Sequence, residues 1–298
     1  MSNRLSINAI KTDKNSLSAI SRLFSTSIFR EIGKTGGEGA LQRLIKETGI
    51  VNANEEEIKL GDVFQIGFNI LQKHNNRSEY VYKNALINKL LFGVHSTRTA
   101  TAITEVRVGK SKADLVLFNG TSTAFEIKSE RDKLDKLEKQ LSDYLDVFSS
   151  VYVMVGEKHL NTVLQRVPES VGILTLTSRF QISTVRKAID EPKRTCPTKV
   201  FDCLRISESK AILKRLGRPL PQVPNTELFV KLRNEFGQLD PLDVQRELVE
   251  VLKVSRSAIK FDQELNRFSE ALRPLALTAN LKNDGYQEIL DRLYYTIK

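Results

Sequence analysis

Two short segments rich in β-forming residues, residues 113–118 and 123–129, flank the dipeptide Asn119-Gly120. Asparagine followed by glycine readily supplies the positive φ angles that a tight two-residue hairpin turn requires. The spacing therefore predicts a β-hairpin. Any fold of this chain must accommodate that hairpin and the side chains that it brings together.

The hairpin predicts a meeting of charged side chains at the ends of its strands away from the turn. Asp114 lies in the first strand and Glu126 in the second, both at the strand ends away from the turn, so a hairpin closed at Asn119-Gly120 brings them close across the ladder if their faces agree. Lys128 shares a strand face with Glu126 because side chains alternate with a period of two. Two carboxylates and an ammonium are therefore expected to lie close together.

The segments around the hairpin predict an α/β core. Ile103, Glu105 and Arg107 share one face of a preceding strand, and residues 131–148 carry apolar residues at helical intervals of three and four. Residues 151–155 form an apolar run typical of a strand buried on both faces. The order strand, strand, strand, helix, strand predicts a mixed sheet flanked by helices.

Hard oxygen ligands at the hairpin suit a divalent metal. The carboxylates of Asp114 and Glu126, with the backbone carbonyl of Ile127, are the kind of donors that Mg²⁺ or Mn²⁺ prefers. Lys128 would then lie beside an attacking water. The alternative is a partly solvated sheet edge with a cross-strand ion pair, which is common in charged chains.

These residues resemble the signature of the PD-(D/E)XK nuclease superfamily, and the helix element resembles its RecB-type branch. The signature reads here as Ala113-Asp114, then Glu126-Ile127-Lys128, then Gln140-x-x-x-Tyr144 on the following helix. The resemblance covers residues 79–178, with Ala113 in place of the signature proline. The segment is also similar to a family of bacterial proteins that carry this fold with a helical tail.

The resemblance implies a restriction-endonuclease-like core and metal-dependent hydrolysis of phosphodiester bonds, leaving a 5′-phosphate and a 3′-hydroxyl. Asp114, Glu126 and Lys128 would be catalytic, and Gln140 would fix Lys128 or the phosphate. The superfamily also has a further carboxylate from the helix before the sheet. Glu79 is favoured slightly over Glu105 for that role, although Glu79 also suits the first turn of an ordinary helix.

The net charge of +10 over 298 residues favours a polyanionic partner. The resemblance implies DNA rather than RNA as that partner. Lys112 and Arg131 are candidate contacts to the nucleic-acid backbone, and Tyr144 could contact the strand. The sequence shows neither a signal peptide nor an apolar run of membrane-spanning length, so a cytoplasmic protein without membrane association is expected.

The sequence predicts four regions: a helical region at residues 1–78, the nuclease-like core at 79–178, a basic linker at 179–225 and a helical region at 226–298. The proline-rich linker is expected to be loop-rich, with basic residues that could follow a phosphate backbone. Residues 244–261 resemble a helix-turn-helix DNA reader with Arg256 and Lys260 directed at a groove, or else an ordinary helical pair.

Two other functions fit the same pattern. One is a nuclease-fold module that binds DNA for regulation or assembly and does not cut it. The other is an RNA-cleaving toxin or effector on the same fold, which positive charge alone does not distinguish from a deoxyribonuclease.

Overall fold

The computed structural model describes residues 13–35, 39–51, 57–94, 98–258, 261–281 and 283–297. The chain forms two compact units, the first from Met1–Asn88 with Lys260–Lys298 and the second from Lys89–Ile259. The second unit is thus inserted in the sequence of the first. The units divide the chain at different places from the four regions predicted above.

Within the described residues, six of the eight strands lie in the middle of the chain, between α5 and α8. The helices are α1 (Lys14–Leu23), α2 (Thr26–Thr35), α3 (Ala40–Thr48), α4 (Leu60–Gln72), α5 (Glu79–Ile87), α6 (Leu137–Leu145), α7 (Leu160–Arg166), α8 (Pro197–Phe201), α9 (Ile206–Arg215), α10 (Asn225–Phe236), α11 (Pro241–Ser255), α12 (Asp262–Arg267), α13 (Arg273–Ala279) and α14 (Asn283–Arg292). The strands are β1 (Ile58–Lys59), β2 (Thr101–Val108), β3 (Ser111–Asn119), β4 (Thr121–Lys128), β5 (Ser150–Val155), β6 (Gly172–Leu176), β7 (Ile182–Arg186) and β8 (Thr296–Ile297). None of the helices within the described ranges combines the length and apolar character needed to cross a bilayer.

The first unit joins the two ends of the sequence through buried aromatic and hydrogen-bond contacts. Phe24, directly after α1, stacks on Tyr80 of α5 with ring centroids 4.8 Å apart. The Tyr80 hydroxyl donates to the carbonyl of Ala271 at 2.5 Å. β1 pairs with β8, with Ile58 opposite Ile297. Contacts between residues far apart in the sequence therefore hold this unit together.

The second unit contains a six-stranded mixed sheet in the order β2-β3-β4-β5-β6-β7. The pairs β2-β3, β3-β4 and β6-β7 are antiparallel, whereas β4-β5 and β5-β6 are parallel. A parallel pair needs a crossover connection, and α6 and α7 lie in the two crossovers. The predicted α/β core with a mixed sheet and flanking helices is confirmed.

One face of this sheet forms an apolar core. Val116 of β3, Ala124 of β4 and Val153 of β5 pack against the apolar sides of α6 and α11. Leu141 of α6 and Leu248 of α11 are almost fully buried there. Asp114 and Glu126 share the strand periodicity of Val116 and Ala124, so this packing determines which side of the sheet the charged residues occupy.

Two sequence expectations are corrected here. The helix predicted over residues 131–148 begins only at Leu137, because the Asp132 carboxylate accepts the Ser129 backbone N–H at 2.7 Å and its hydroxyl at 2.6 Å, which makes a turn. The linker predicted to be loop-rich contains β7, α8 and α9. Pro197 opens α8, where a missing N–H is tolerated, whereas Pro219 and Pro221 lie in an irregular stretch before α10.

Gly172 of β6 allows Tyr152 of β5 and the chain after β7 to lie close to its backbone. A Cβ atom on Gly172 would lie 2.3 Å from the Tyr152 ring and 2.6 Å from the backbone nitrogen of Ala188. The Tyr152 ring is itself stacked on Phe125, with centroids 5.5 Å apart. The ring and the backbone together leave no space for a side chain.

We expect Gly172→Ala to lower the free energy of unfolding by about 1–3 kcal/mol, because overpacking forces the ring or the backbone to move. Urea unfolding of the purified protein measures this change. Ser183→Ala on the exposed edge strand β7 is the control and should change stability little. Equal effects of the two substitutions would contradict the packing described for Gly172.

Candidate active site

The candidate site lies where β3 and β4 part. The last paired residues of the two strands at this end are Leu115 and Phe125. Beyond them, the backbone N–H of Ile127 donates to Asp114 Oδ2 at 2.7 Å. The side chain of Asp114 thus occupies the opening between the strands, opposite Glu126 in the continued register, as the hairpin predicts.

Lys128 connects the strand to the helix that follows it. Its ammonium donates to Glu126 Oε1 at 2.6 Å and to Gln140 Oε1 at 3.0 Å. The Lys128 side chain is 12% exposed and that of Glu126 is 2% exposed, so this ion pair is shielded from bulk water. The strand therefore places Lys128 and Glu126 together, and α6 supplies Gln140 to hold the ammonium from the other side.

Tyr144 fixes the second oxygen of Glu126. Its hydroxyl donates to Glu126 Oε2 at 2.8 Å, and the residue is fully buried. Burial raises the pKa of Tyr144, and the negative charges of Glu126 and Asp114 raise this pKa further, so the hydroxyl keeps its proton. In this conformation Tyr144 contacts the carboxylate and is not available to a nucleic-acid strand.

Two carboxyl groups and one ammonium lie together at the site. Burial raises the pKa of Glu126 above its usual range, against the opposing effects of Lys128, Tyr144 and Gln140. Asp114, beside it, is half-buried. An additional cation at these carboxylates would favour the ionised form of Glu126, and carboxylate oxygens can accept further partners through their remaining lone pairs.

The two candidates for a further carboxylate lie in different units. Glu105 is in β2, between the pairs Thr104–Leu115 and Val106–Ala113, and so faces Asp114 in the register of the sheet. Its φ angle of 59° is unusual for a residue that is not glycine, and its carboxylate forms an ion pair with Lys112. Glu79 opens α5 in the first unit, where it is exposed and pairs with Lys83 at 3.2 Å.

The candidate nucleic-acid contacts are at the surface of the second unit. Lys112 and Arg131 are exposed, near the start of β3 and in the loop before α6.

Sequence reasoning missed the turn at Gly109, which joins β2 to β3 and has a φ of 58°. A glycine between two runs of β-forming residues is the signal that could have located it.

The structure contradicts the helix-turn-helix interpretation, in which Arg256 is directed at a DNA groove. Its guanidinium donates to Glu208 Oε1 at 2.7 Å and to Oε2 at 2.6 Å, in a bidentate pair that joins the end of α11 to α9. Burial acts to raise the pKa of Glu208, but the hydrogen bonds from Arg256 lower it overall. Arg256 is thus engaged within the unit, and Lys260 lies outside the described residues.

Comparison with known proteins shows the family of the chain. The family model described as bacteriophage P4 protein cII matches residues 72–276, which include the whole mixed sheet and the candidate site. The chain belongs to this bacteriophage P4 cII family. This family assignment does not name a reaction, and it neither includes nor contradicts the nuclease superfamily.

A similar protein in the cII family is Protein cII of Enterobacteria phage P4. It is 32% identical to this chain over 120 residues, which cover 40% of this chain and 41% of that protein. The aligned part is thus less than half of its length. No solved structure matches the chain. The nuclease resemblance therefore stays a prediction for this member of the cII family.

We expect the wild-type protein to lose stability as the pH rises through the raised pKa of Glu126, and we expect the Glu126→Gln protein not to show this loss. Because burial raises the pKa of Glu126 above its ordinary value of 4.5, the fold favours the protonated carboxyl. The protonated Glu126 side chain therefore contributes fully to the free energy of unfolding when the pH is below its ordinary pKa. This contribution is lost as the pH rises through the raised pKa. Urea unfolding in EDTA, at a series of pH values from acid to neutral, measures the difference between the two proteins.

The matched control is Glu138→Gln, which removes an exposed carboxylate whose partner is Arg166. Relative to wild type, the Glu126→Gln protein should gain stability as the pH rises, whereas the Glu138→Gln protein should not. Parallel stability curves for wild type and Glu126→Gln would show that Glu126 does not titrate abnormally.

Proposed function

We propose that this protein is a Mg²⁺-dependent deoxyribonuclease that hydrolyses phosphodiester bonds at the candidate site. The observation that carries the proposal is the hydrogen-bonded set of Glu126, Lys128, Gln140 and Tyr144 next to Asp114. These are the residues of the PD-(D/E)XK-like signature, and three separate elements bring them together. A solvated edge pair would not need a buried glutamate with both oxygens engaged.

The donor set fits a hard divalent cation. Asp114 and Glu126, with the backbone carbonyl of Ile127 as a further proposed ligand, offer only oxygen atoms, which are the donors that Mg²⁺ prefers. When bound, Mg²⁺ or Mn²⁺ would supply Lewis-acid polarisation of the phosphoryl oxygens. Glu105, which faces Asp114 in the sheet, is the further carboxylate nearest in register.

Lys128 supplies a positive charge that the protein holds in a fixed position at the site. Glu126 and Gln140 both accept from its ammonium, which restricts the direction of the remaining N–H bond. That bond can donate to an attacking water or to a phosphate oxygen, and little bulk water competes with it because the side chain is mostly buried. Charge developing on the phosphate is thereby stabilised by a donor already in place.

Gln140 and Tyr144 act through the charged residues. Gln140 holds Lys128, and the Tyr144 hydroxyl holds Glu126 in one orientation. Both are therefore positioning residues in this proposal. Their spacing of four on α6 places them on one helix side, which explains why the two side chains reach adjacent charges.

DNA is the proposed partner. The net charge of +10 attracts polyanions, and the exposed cations Arg131 and Lys112 could hold the phosphate backbone. The two carboxylates at the centre have the charge of the substrate, so a bound cation is needed before a phosphodiester can approach them.

Asp114→Asn and Lys128→Met should each reduce Mg²⁺-dependent cleavage of DNA by a factor of about 10² or more, because each removes a charged group at the reacting phosphate. Binding of DNA in EDTA should change little. Digestion of linear, circular and single-stranded DNA, with tRNA in parallel, measures the activity and distinguishes DNA from RNA as the substrate.

Asp135→Asn is the matched control, since Asp135 is exposed in the loop before α6. Cleavage by this variant should equal that of wild type. Unchanged cleavage by Asp114→Asn would refute the assignment of the site. Retention of DNA without hydrolysis in Mg²⁺ or Mn²⁺ would instead favour a binding module, in which the Lys128–Glu126 ion pair serves only the fold.

A further inference from the structure

The turn between β2 and β3 extends past the sheet beside the candidate site. β3 pairs with β2 through to Ser111, opposite Val108, whereas its pairing with β4 ends at Leu115. Residues 107–112, here called the basic hairpin, therefore continue as a two-stranded ribbon. A Cβ atom on Gly109 at its tip would meet no atom of the described chain within 4 Å.

The basic hairpin carries three exposed cations on six residues: Arg107, Lys110 and Lys112. Arg107 lies directly opposite Lys112 in the ladder, and like charges at facing positions repel each other. Lys112 has an ion pair with Glu105. Within the part of the chain that the structure describes, no hydrogen bond or ion pair engages the side chains of Arg107 and Lys110.

The hairpin is nevertheless held in place. The Ser111 hydroxyl donates to Asp143 Oδ2 of α6 at 2.6 Å, and the other oxygen of Asp143 accepts from Lys139 at 2.6 Å. Asp143 lies on the same helix as Gln140 and Tyr144. The position of the basic hairpin is therefore fixed relative to the residues of the candidate site.

We infer that the basic hairpin binds the phosphate backbone of duplex DNA beside the candidate site. Lys112 already has Glu105 as a partner, whereas Arg107 and Lys110 are exposed cations for which a phosphodiester supplies the opposite charge. A two-stranded ribbon also fits the width of the major groove of DNA. The inference deepens the proposed function and rests on it, because it names the element that holds the substrate of that site.

The test compares Arg107→Gln/Lys110→Gln with wild type in binding a fluorescently labelled DNA duplex, by anisotropy at several salt concentrations in EDTA. The slope of log affinity against log salt should fall by about 2, since two phosphates are no longer neutralised by the protein. Arg107→Lys/Lys110→Arg keeps both charges and should keep the slope. Circular dichroism and thermal unfolding of each variant establish that it is folded.

The control is Lys193→Gln/Lys231→Gln, which removes the same charge from exposed positions elsewhere in the second unit. If both neutralised variants lower the slope equally, or neither does, the inference is overturned. An equal reduction of the slope on single-stranded DNA would overturn the assignment to duplex.

Binding in EDTA does not depend on cleavage, so the two proposals fail separately. If the wild-type protein never cleaves DNA but the hairpin variant has a reduced slope, the binding surface stands and the nuclease proposal fails. If the wild-type protein cleaves DNA but the hairpin variant has an unchanged slope, the nuclease proposal stands and the binding surface fails.

Discussion

The ion pair between Lys128 and Glu126, almost closed to water, is the interaction on which the arrangement of the candidate site depends. A buried carboxylate is unfavourable unless charged and hydrogen-bonded partners surround it. Glu126 has Lys128 on one oxygen and Tyr144 on the other. Because these partners come from β4 and α6, the helix cannot shift along the sheet without exposing an unsatisfied charge. The same contacts that fix the helix also fix the groups proposed to meet the substrate.

Local sequence patterns predicted the central part of the fold well. The segment around Asn119-Gly120 forms the predicted hairpin, but its turn centres on Gly120, because Asn119 pairs with Thr121 and it is Gly120 that has the positive φ. The period of two along β3 and β4 placed Asp114 and Glu126 at the same end. Gln140 and Tyr144 were expected on one helix side, and both contact the charged pair. Each of these predictions depends on neighbours close in sequence, for which turn geometry and side-chain period leave few alternatives.

Features that depend on distant partners were not predictable in this way. The helix after β4 begins late because Asp132 turns back to Ser129, and Arg256 is bound to Glu208, which lies 48 residues away. The backbone at Glu105 adopts a positive φ that no residue preference indicates. The role of Tyr144 also depends on burial, which directs its hydroxyl inward. Tertiary packing decides such details, so a single sequence gives little sign of them.

The nested arrangement of the two units has a consequence for synthesis on the ribosome. All residues of the second unit have been translated once Ile259 is added, whereas the first unit still lacks Lys260–Lys298. β1 must wait for β8, its partner almost at the end of the chain. The inserted unit can therefore fold before residues 260–298 are available to the first unit, and α1–α5 must keep their apolar surfaces from aggregating until those residues have been translated.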